Sequence, residues 1–376
     1  MNVLILGAGQ LARMMALAGA PLNIYVKAYD LNSAQVINPV TLQAYSTSLE
    51  TEIEKTHVIT AEFEHVPLDL LNQCEQSGKL KPHAAAIKVG GDRRLEKTLL
   101  DQAQVSNADF RIITNYEAFN QCIKQIGLPL VLKTALGGYD GKGQWQVKSM
   151  TEAAAAWQEI EVVLNNDPDQ AIIAESFIPF DYEVSILGVR DQNGLIKTYP
   201  LAQNSHKNGI LRISSPINNT TLQQKAEQSF RKIAESLNYV GVLAIEFFVI
   251  NDQLLVNEIA PRVHNSGHWT QQGSITCQFE NHLRAVCGLP IGSTESRLST
   301  AMINILGIDQ VPSAILELND IHLHWYNKPI KPFRKMGHIN ICGSTDAELY
   351  QKLSMVTSLL AEPLPENIIF STQKIQ

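Results

Sequence analysis

The N-terminal segment restricts what this chain can fold into, because it reads as a strand, a glycine turn, a helix and a second strand. An apolar run at 2–6 ends in Gly7-Ala8-Gly9, a helical stretch follows over about 10–18, and 23–29 predicts the second strand. This order of elements is typical of the start of a parallel α/β sheet. We therefore predict an N-terminal Rossmann-like domain over residues 1–90.

The glycine turn itself favours an anionic ligand. Residues 7–12, Gly-Ala-Gly-Gln-Leu-Ala, match the pattern G-x-G-x-x-G/A, and Asp30 ends the second predicted strand. Glycines let backbone amides and the first turn of a helix approach a phosphate. The motif alone leaves three interpretations open: a dinucleotide site, a site for a phosphate-bearing substrate, and a turn used only for packing.

Composition argues against several classes of protein. The 376 residues include 30 Lys or Arg and 37 Asp or Glu, a net charge of −7, and 45% are hydrophobic. Such a chain can bury a sizeable core, and its acidic balance gives no support to nucleic-acid or membrane-surface binding. No apolar run approaches the ~18 residues of a transmembrane helix. Five scattered cysteines, with no Cys-x-x-Cys pair, are typical of a reducing cytoplasm.

Three further regions follow the first domain. We predict a connector and small lid domain at 91–175, a central domain at 176–300 and a small β-rich domain at 301–376. The whole is predicted to combine α/β and α+β architecture.

A second glycine-rich loop, residues 137–143, lies between two predicted strands of the lid. It is not a Walker A loop, because Gly143 rather than Ser or Thr follows Gly141-Lys142. Such a loop can fold over a polyphosphate and can open and close. Lys133 on the preceding strand favours phosphate binding over an ordinary flexible hairpin.

Two glutamates on successive predicted strands form the most informative pair. Glu246 lies within 242–250 and Glu258 within 253–259. If the turn between these strands has three residues, the two side chains face each other, whereas a two-residue turn would place them on opposite faces. Adjacent carboxylates repel each other unless a cation lies between them, and their oxygens suit Mg²⁺. We favour a metal site over two solvated glutamates or partners for Lys and Arg.

Two segments are rich in hydrogen-bond donors or cations. Residues 262–269, Arg-Val-His-Asn-Ser-Gly-His-Trp, directly follow the second strand and suit an anion such as carboxylate, bicarbonate or phosphate. Residues 328–335 carry four cations in eight positions. This tail segment is either a solvated basic turn or a clamp for a substrate phosphate.

These blocks, in this order, resemble the ATP-grasp superfamily. More closely, they resemble the family of N5-carboxyaminoimidazole ribonucleotide synthetases, the biotin-independent, ATP-dependent carboxylases of purine biosynthesis. The resemblance covers nearly the whole chain. Its most specific carriers are the runs at 138–144 and 264–269, and its other carriers are 7–14, 62–64, 92–97, 175–183, 206–210, 257–263 and 334–338.

The resemblance implies an ATP-grasp fold with ATP bound between the lid and the central domain. Glu246 and Glu258 would hold Mg²⁺. The residues implied to bind the nucleotide are Arg93, Lys133, Gly138, Tyr139, Asp140, Gly141, Lys142, Gly143, Gln144, Glu175, Ser176, Phe177, Ile178, Glu183, His206, Asn257 and Glu258.

The resemblance also implies the remaining substrates. Bicarbonate would sit near Arg262, His264 and Asn265, and the aminoimidazole ribonucleotide would lie across the first domain. The other implied catalytic residues are Tyr139, Asp140 and Lys142, and the implied ribonucleotide contacts are Glu62 or Glu64, Ser266, Gly267, His268, Lys328, Arg334 and Lys335. The family further suggests a cytoplasmic homodimer that uses no biotin.

The sequence departs from the family at two positions. Ala12 stands where the family often has Gly, and Lys142 stands where it often has Arg, which keeps the charge but loses bidentate geometry.

Alternative functions remain open from the residues alone. Another ATP-grasp ligase, such as a formate-dependent glycinamide ribonucleotide transformylase, would share the ATP chemistry, but the blocks at 264–269 and 334–338 argue against it. A nicotinamide-dependent oxidoreductase would use the first glycine turn but leaves Glu246 and Glu258 unexplained. A non-catalytic nucleotide-binding regulator is disfavoured because the set of reactive groups is intact.

Overall fold

The computed structural model describes residues 1–138 and 143–361, which form three sheets flanked by helices. The strands are β1 (Asn2–Leu6), β2 (Tyr25–Asp30), β3 (Gln35–Ile37), β4 (Val58–Ala61), β5 (Phe110–Ile113), β6 (Leu130–Thr134), β7 (Gln144–Val147), β8 (Ile172–Ser176), β9 (Tyr182–Arg190), β10 (Ile196–Thr198), β11 (Ala202–Lys207), β12 (Ile210–Pro216), β13 (Gly241–Ile250), β14 (Gln253–Ala260), β15 (Ser299–Leu306), β16 (Ile321–Trp325) and β17 (Lys335–Gly343). The α-helices are α1 (Gln10–Gly19), α2 (Leu49–Lys55), α3 (Leu68–Gln76), α4 (Ala84–Gly91), α5 (Arg93–Gln102), α6 (Tyr116–Ile126), α7 (Met150–Asn166), α8 (Thr220–Ser236), α9 (Thr270–Gly273), α10 (Gln278–Val286), α11 (Ser313–Leu316) and α12 (Asp346–Leu359).

The first sheet has the order β3-β2-β1-β4, with β1 parallel to both β2 and β4. This confirms the predicted parallel α/β unit, and β3 adds an antiparallel edge. Helix α1 packs through Met14 and Met15 into a shared core with Phe279 and Leu283 of α10. The first domain is thereby anchored on the central domain by buried apolar surface.

The lid is a separate antiparallel sheet in the order β5-β8-β6-β7. Its inner face packs Leu130 and Leu132 against Trp157 and Ile160 of α7. Side-chain caps start its helices: the Asn115 side chain accepts from the backbone N–H of Ala118, and the Ser149 side chain accepts from that of Glu152. Such caps satisfy amide donors that a helix leaves unpaired at its start.

The central sheet runs in the order β14-β13-β9-β11-β12-β15-β17-β16, with β10 paired to β9, among the residues that the structure describes. The C-terminal strands join this sheet through β12 and β15, where Ile213 pairs with Ile303 and Ser214 with Met302. Helices α11 and α12 cover the C-terminal part through Ile315 and Leu353. The β-rich C-terminal region therefore continues the central sheet.

No helix in the described part of the chain combines the length and apolar character needed to span a membrane.

Candidate active site

A cavity of about 530 Å³ lies between the lid and the central sheet. The lid contributes β6, β7 and the end of β8, and the central sheet contributes β9, β11, β13 and β14. The predicted site residues that line it are Arg93, Lys133, Gly143, Gln144, Glu175, Ser176, Phe177, Ile178, Glu183, His206, Glu246, Asn257, Glu258, His264, Asn265 and Lys335. The structure thus brings together most of the predicted nucleotide site from residues that are widely separated along the chain.

Glu246 and Glu258 lie directly opposite each other on β13 and β14. The turn between these strands has two residues rather than three, because Ile250 pairs with Gln253 around Asn251 and Asp252, whose φ angles are 47° and 59°.

A bulge restores the facing arrangement. Phe247 pairs with Val256, whereas Glu246 pairs with Glu258, so Asn257 is the extra residue in β14. An extra residue in one strand reverses the face on which the following side chains lie.

The carboxylate pair carries negative charge in a partly buried position. Burial raises the pKa of Glu246 to about 7, and Glu258 adds to this rise while His206 opposes it. The guanidinium of Arg93 flanks the pair, with Nη2 3.7 Å from Glu258 Oε2, and the imidazole of His264 lies nearby, with Nδ1 3.7 Å from Glu246 Oε1.

This donor set fits a divalent cation shared with phosphate oxygens. Two carboxylates supply hard oxygen ligands but not a complete coordination shell. In the described residues no cluster of three or more His, Cys, Asp or Glu side chains is arranged to hold a metal ion. A metal held here would complete its shell with water or with the phosphate oxygens of a ligand.

Glu175 is buried between two lysines at the back of the cavity. Its Oε2 lies 2.7 Å from Lys133 Nζ, and its Oε1 lies 2.7 Å from Lys97 Nζ. Burial favours the neutral carboxyl, but the two lysines outweigh it and lower the pKa of Glu175 to about 2. Lys133 Nζ also donates to Asn257 Oδ1 at 3.2 Å, which ties the lid strand β6 to the bulge in β14.

Glu183 and His206 pair across β9 and β11 at the wall of the cavity. His206 Nδ1 lies 2.7 Å from Glu183 Oε2. Burial opposes protonation of His206, but the hydrogen bond with Glu183 outweighs it and raises the pKa of the imidazole. Glu183 and His206, both predicted to bind the nucleotide, therefore present polar atoms to the first cavity.

The segment 262–269 divides into two parts. His264 and Asn265 line the first cavity. Asn265 exchanges amide hydrogen bonds of 3.0 and 2.7 Å with Asn304, which fixes its orientation. His264 Nδ1 lies 2.9 Å from Ser266 Oγ, and burial, reinforced by Arg262, keeps the pKa of His264 well below its usual range.

The second part of this segment contains Ser266, Gly267 and His268, which were predicted to contact the ribonucleotide and which line neither of the two cavities described here. Ser266 and His268 are fully buried. A Cβ at Gly267 would lie 2.0 Å from Leu187 Cδ2. These residues pack the loop against the central sheet, and the glycine is required by the close approach of a core leucine.

The glycine turn after β1 holds a carboxylate of the protein itself. Glu62 accepts hydrogen bonds from the backbone N–H of Gly9 and, at 2.8 Å, from that of Ala12. A Cβ at Gly7 would lie 2.5 Å from Glu62 Cγ, and one at Gly9 would lie 2.8 Å from Glu62 Oε1. Burial raises the pKa of Glu62, while these amide hydrogen bonds lower it. The anion position that a dinucleotide phosphate would use is therefore taken by Glu62.

Glu64 is used differently from Glu62. Its Oε1 lies 2.6 Å from Arg262 Nε, so a residue after β4 meets a residue after β14 across the domain boundary. Burial opposes the charge on Arg262, but Glu64, followed by Glu258 and Glu62, outweighs it and raises the pKa of the guanidinium.

A second cavity of about 680 Å³ opens at the glycine turn. Glu62, Lys328 and Arg334 line it, together with Tyr326 and the turn after β2, 30–33. Arg334 and Lys335 were both predicted to meet the ribonucleotide, but Lys335 lines the first cavity instead. Arg334 and Lys335 therefore line different cavities, because successive side chains point to opposite faces where the strand β17 begins.

The predicted residues Tyr139, Asp140, Gly141 and Lys142 lie outside the described residues. Gly143, which follows them, has φ of 66°, and a Cβ there would lie 2.6 Å from Thr134 Oγ1. This glycine is therefore required where the chain enters β7.

Sequence reasoning missed an aromatic pair in the first cavity. Phe180 and Phe248 stack with ring centroids 4.5 Å apart and an interplanar angle of 14°, and both line the cavity. Spacing gave a usable signal, because Phe248 follows Glu246 by two residues on the same strand and so shares its face.

Comparisons with known proteins agree with this architecture. Family models match the ribonucleotide synthetase preATP-grasp domain at residues 1–91, the ATP-grasp domain at 98–279 and the phosphoribosylaminoimidazole carboxylase C-terminal domain at 300–352. N5-carboxyaminoimidazole ribonucleotide synthase of Vibrio vulnificus is 56% identical over 362 residues, 96% of each chain. The Haemophilus influenzae enzyme of that name is 37% identical and covers all of this chain and 98% of its own.

Solved structures lead to the same group. N5-carboxyaminoimidazole ribonucleotide synthetase from Thermus thermophilus matches with a TM-score of 0.86 and 39% identity, over 97% of this chain and 100% of its own. The Aspergillus clavatus N5-carboxyaminoimidazole synthase in complex with ADP and 5-aminoimidazole ribonucleotide matches with a TM-score of 0.83 and 27% identity, over 96% and 98%.

The fold and the lysine-lined, carboxylate-bearing cavity define an ATP-grasp ligase. All three parts of the chain match one kind of enzyme within that class. The chain belongs to the N5-carboxyaminoimidazole ribonucleotide synthase family.

Proposed function

We propose that this chain uses ATP and bicarbonate to carboxylate 5-aminoimidazole ribonucleotide, giving N5-carboxyaminoimidazole ribonucleotide in purine biosynthesis. One observation carries the proposal: Arg262, held by Glu64, interacts electrostatically with Glu258 of the first cavity and with Glu62 of the second, and the two cavities differ in character. The first holds the carboxylate pair and Lys133, and the second holds Lys328 and Arg334. Family membership supports these substrates, and the Aspergillus clavatus relative was solved in complex with ADP and 5-aminoimidazole ribonucleotide.

The first cavity would bind ATP with Mg²⁺. Bound between Glu246 and Glu258, Mg²⁺ would neutralise phosphate charge and orient the γ-phosphoryl group. Lys133 and Arg93 line the same cavity and supply positive charge. The stacked Phe180 and Phe248 offer an apolar face that suits a nucleotide base.

In the first step, an oxygen of bicarbonate would attack the γ-phosphorus of ATP and release ADP, giving carboxyphosphate. Phosphoryl transfer depends mainly on positioning and charge neutralisation. Arg262 and His264, held by Glu64 and Ser266 respectively, would orient bicarbonate beside the carboxylate pair.

In the second step, the exocyclic amine of the ribonucleotide would take the carboxyl group, from carboxyphosphate directly or as released CO₂. A C–N bond forms, inorganic phosphate leaves and the amine loses a proton. The ribonucleotide would occupy the second cavity, with its 5′-phosphate near Lys328 and Arg334. Tyr139, Asp140 and Lys142 belong to this proposal on family resemblance alone. No biotin is required.

Phosphate release tests the proposal when ATP, bicarbonate and the ribonucleotide are omitted in turn from otherwise complete mixtures. We expect release to require all three. Release that proceeds with formate and glycinamide ribonucleotide instead would indicate a different ATP-grasp ligase. Consumption of reduced nicotinamide would contradict the proposal outright.

Two finer points rest on family resemblance: the protein would be a homodimer, and it would act in the cytoplasm. The five cysteines are free, and four of them are buried, which suits a reducing compartment. Sedimentation equilibrium of the full chain tests the first point, because a monomer mass at working concentration would contradict it.

A further inference from the structure

A buried polar network beside the second cavity is not used by the reaction described above. It consists of Tyr326, His338 and Gln271, and His324 stacks on His338 without a hydrogen bond to these three residues in the described structure. Tyr326 lines the second cavity and is only 4% exposed, and His338 is fully buried. The network lies where the segment after residue 269 meets the strands β16 and β17.

Hydrogen bonds fix the proton positions in this network. His338 Nε2 lies 2.8 Å from Gln271 Oε1, and His338 Nδ1 lies 2.7 Å from Tyr326 Oη. An amide oxygen only accepts, so Nε2 carries the proton and Nδ1 accepts from the tyrosine hydroxyl. Burial keeps the pKa of His338 well below its usual range, in keeping with a neutral ring.

Tyr326 in turn contacts Lys328. Lys328 Nζ lies 5.6 Å from the centroid of the Tyr326 ring, a distance that allows a cation–π interaction. The same ammonium donates to Gln10 Oε1 at the start of α1. The backbone N–H of Tyr326 donates to the carbonyl of Met336 at 3.0 Å, so the ring is tied to β17 as well.

We propose that Tyr326 and His338 are positioning residues that orient Lys328 toward the phosphate of the ribonucleotide. The proposal rests on the proposed function, which assigns that phosphate to the second cavity. His338 holds the hydroxyl of Tyr326, and the ring of Tyr326 supports the ammonium of Lys328 together with Gln10. Neither side chain needs to touch the substrate.

Steady-state kinetics of full-length variants test the proposal, with the ribonucleotide and ATP varied in turn. Tyr326→Phe keeps the ring but leaves Nδ1 of His338 without its donor, and we expect it to raise KM for the ribonucleotide roughly fivefold or more, since an unmade buried hydrogen bond is costly. KM for ATP should stay within about twofold. Lys328→Ala should raise KM for the ribonucleotide at least as much.

His338 offers a matched pair of substitutions. Asparagine can place an oxygen near the position of Nδ1, whereas glutamine places its polar atoms near that of Nε2. His338→Gln should therefore raise KM for the ribonucleotide, and His338→Asn should raise that KM much less. His324→Gln is the control, because His324 stacks on His338 with centroids 4.4 Å apart and makes no hydrogen bond to Tyr326 in the described structure.

The outcomes distinguish the positioning role of Tyr326 and His338 from the assignment of the ribonucleotide to the second cavity. If Lys328→Ala raises KM for the ribonucleotide while Tyr326→Phe and His338→Gln leave it unchanged, the positioning role is overturned and the substrate assignment stands. If Lys328→Ala itself has no effect on that KM, the assignment of the second cavity fails as well. Equal rises in both KM values, or equal loss in His324→Gln, would indicate a general structural role and overturn the proposal.

Discussion

Replacing Glu175 by glutamine tests whether the buried ion cluster holds the lid on the rest of the protein. Lys97 comes from α5 and Lys133 from β6, and both lie 2.7 Å from the carboxylate. Glu175→Gln keeps the shape of the side chain but leaves two buried ammonium groups without a counter-charge. Breaking a buried pair in this way costs about 3 to 5 kcal/mol.

The pKa of Glu175 gives an independent magnitude. Burial alone would raise it, but the lysines lower it from 4.5 to about 2. At 1.36 kcal/mol for each pH unit, this corresponds to roughly 3 kcal/mol in favour of the folded state. Because the folded pKa is the lower one, the stabilisation is complete above about pH 5 and is lost as the pH falls toward 2.

Urea unfolding followed by tryptophan fluorescence measures the effect, since Trp145 and Trp157 both lie in the lid. At pH 7 we expect the variant to lose about 3 kcal/mol of unfolding free energy, and its stability should fall less steeply than that of the wild type below pH 5. Glu235→Gln is the control, because Glu235 forms an exposed 3.7 Å pair with Arg231. A loss in Glu175→Gln no larger than in this control would refute the reasoning.

Two further predictions concern the facing carboxylates and the filled glycine turn. Glu258→Gln should lower kcat for phosphate release by roughly 10²-fold or more at saturating Mg²⁺, because one of two proposed metal ligands loses its charge. If the variant keeps the wild-type melting temperature and the wild-type kcat, Glu258 is not a metal ligand. Gly9→Ala should destabilise the fold by about 1 to 3 kcal/mol, because the added Cβ would lie 2.8 Å from Glu62 Oε1 and displace the carboxylate from the turn. An unchanged midpoint of urea unfolding would contradict this prediction.

The sequence predicted element types well where periodicity and glycine turns were strong. The first parallel unit is confirmed, and strands β13 and β14 lie within one residue of their predicted positions at 242–250 and 253–259. The hairpin shows the limit of such reasoning. Glu246 and Glu258 face each other as expected, but a two-residue turn and a bulge at Asn257 produce this, and side-chain patterning does not encode a bulge.

The sequence motifs predicted which segments lie at the site better than they predicted which side chains of those segments point into it. The run 262–269 contains His264, which lines the first cavity, and His268, which is fully buried. Glu62 or Glu64 was predicted to contact the ribonucleotide; Glu62 lines the second cavity, and both of its oxygens accept hydrogen bonds from backbone amides. Which side chain fills an amide turn depends on tertiary placement, and a local sequence pattern does not contain that information.

The single sheet that runs from β14 to β16 has a mechanical consequence. Glu246 and Glu258 lie on β13 and β14 at one edge of this sheet, and Tyr326 directly follows β16, the strand at the other edge. Backbone hydrogen bonds between neighbouring strands connect the two edges. Moving one end of this sheet away from the other would break backbone hydrogen bonds between neighbouring strands. A tilt of the separately folded lid would open or close the first cavity and leave those hydrogen bonds intact.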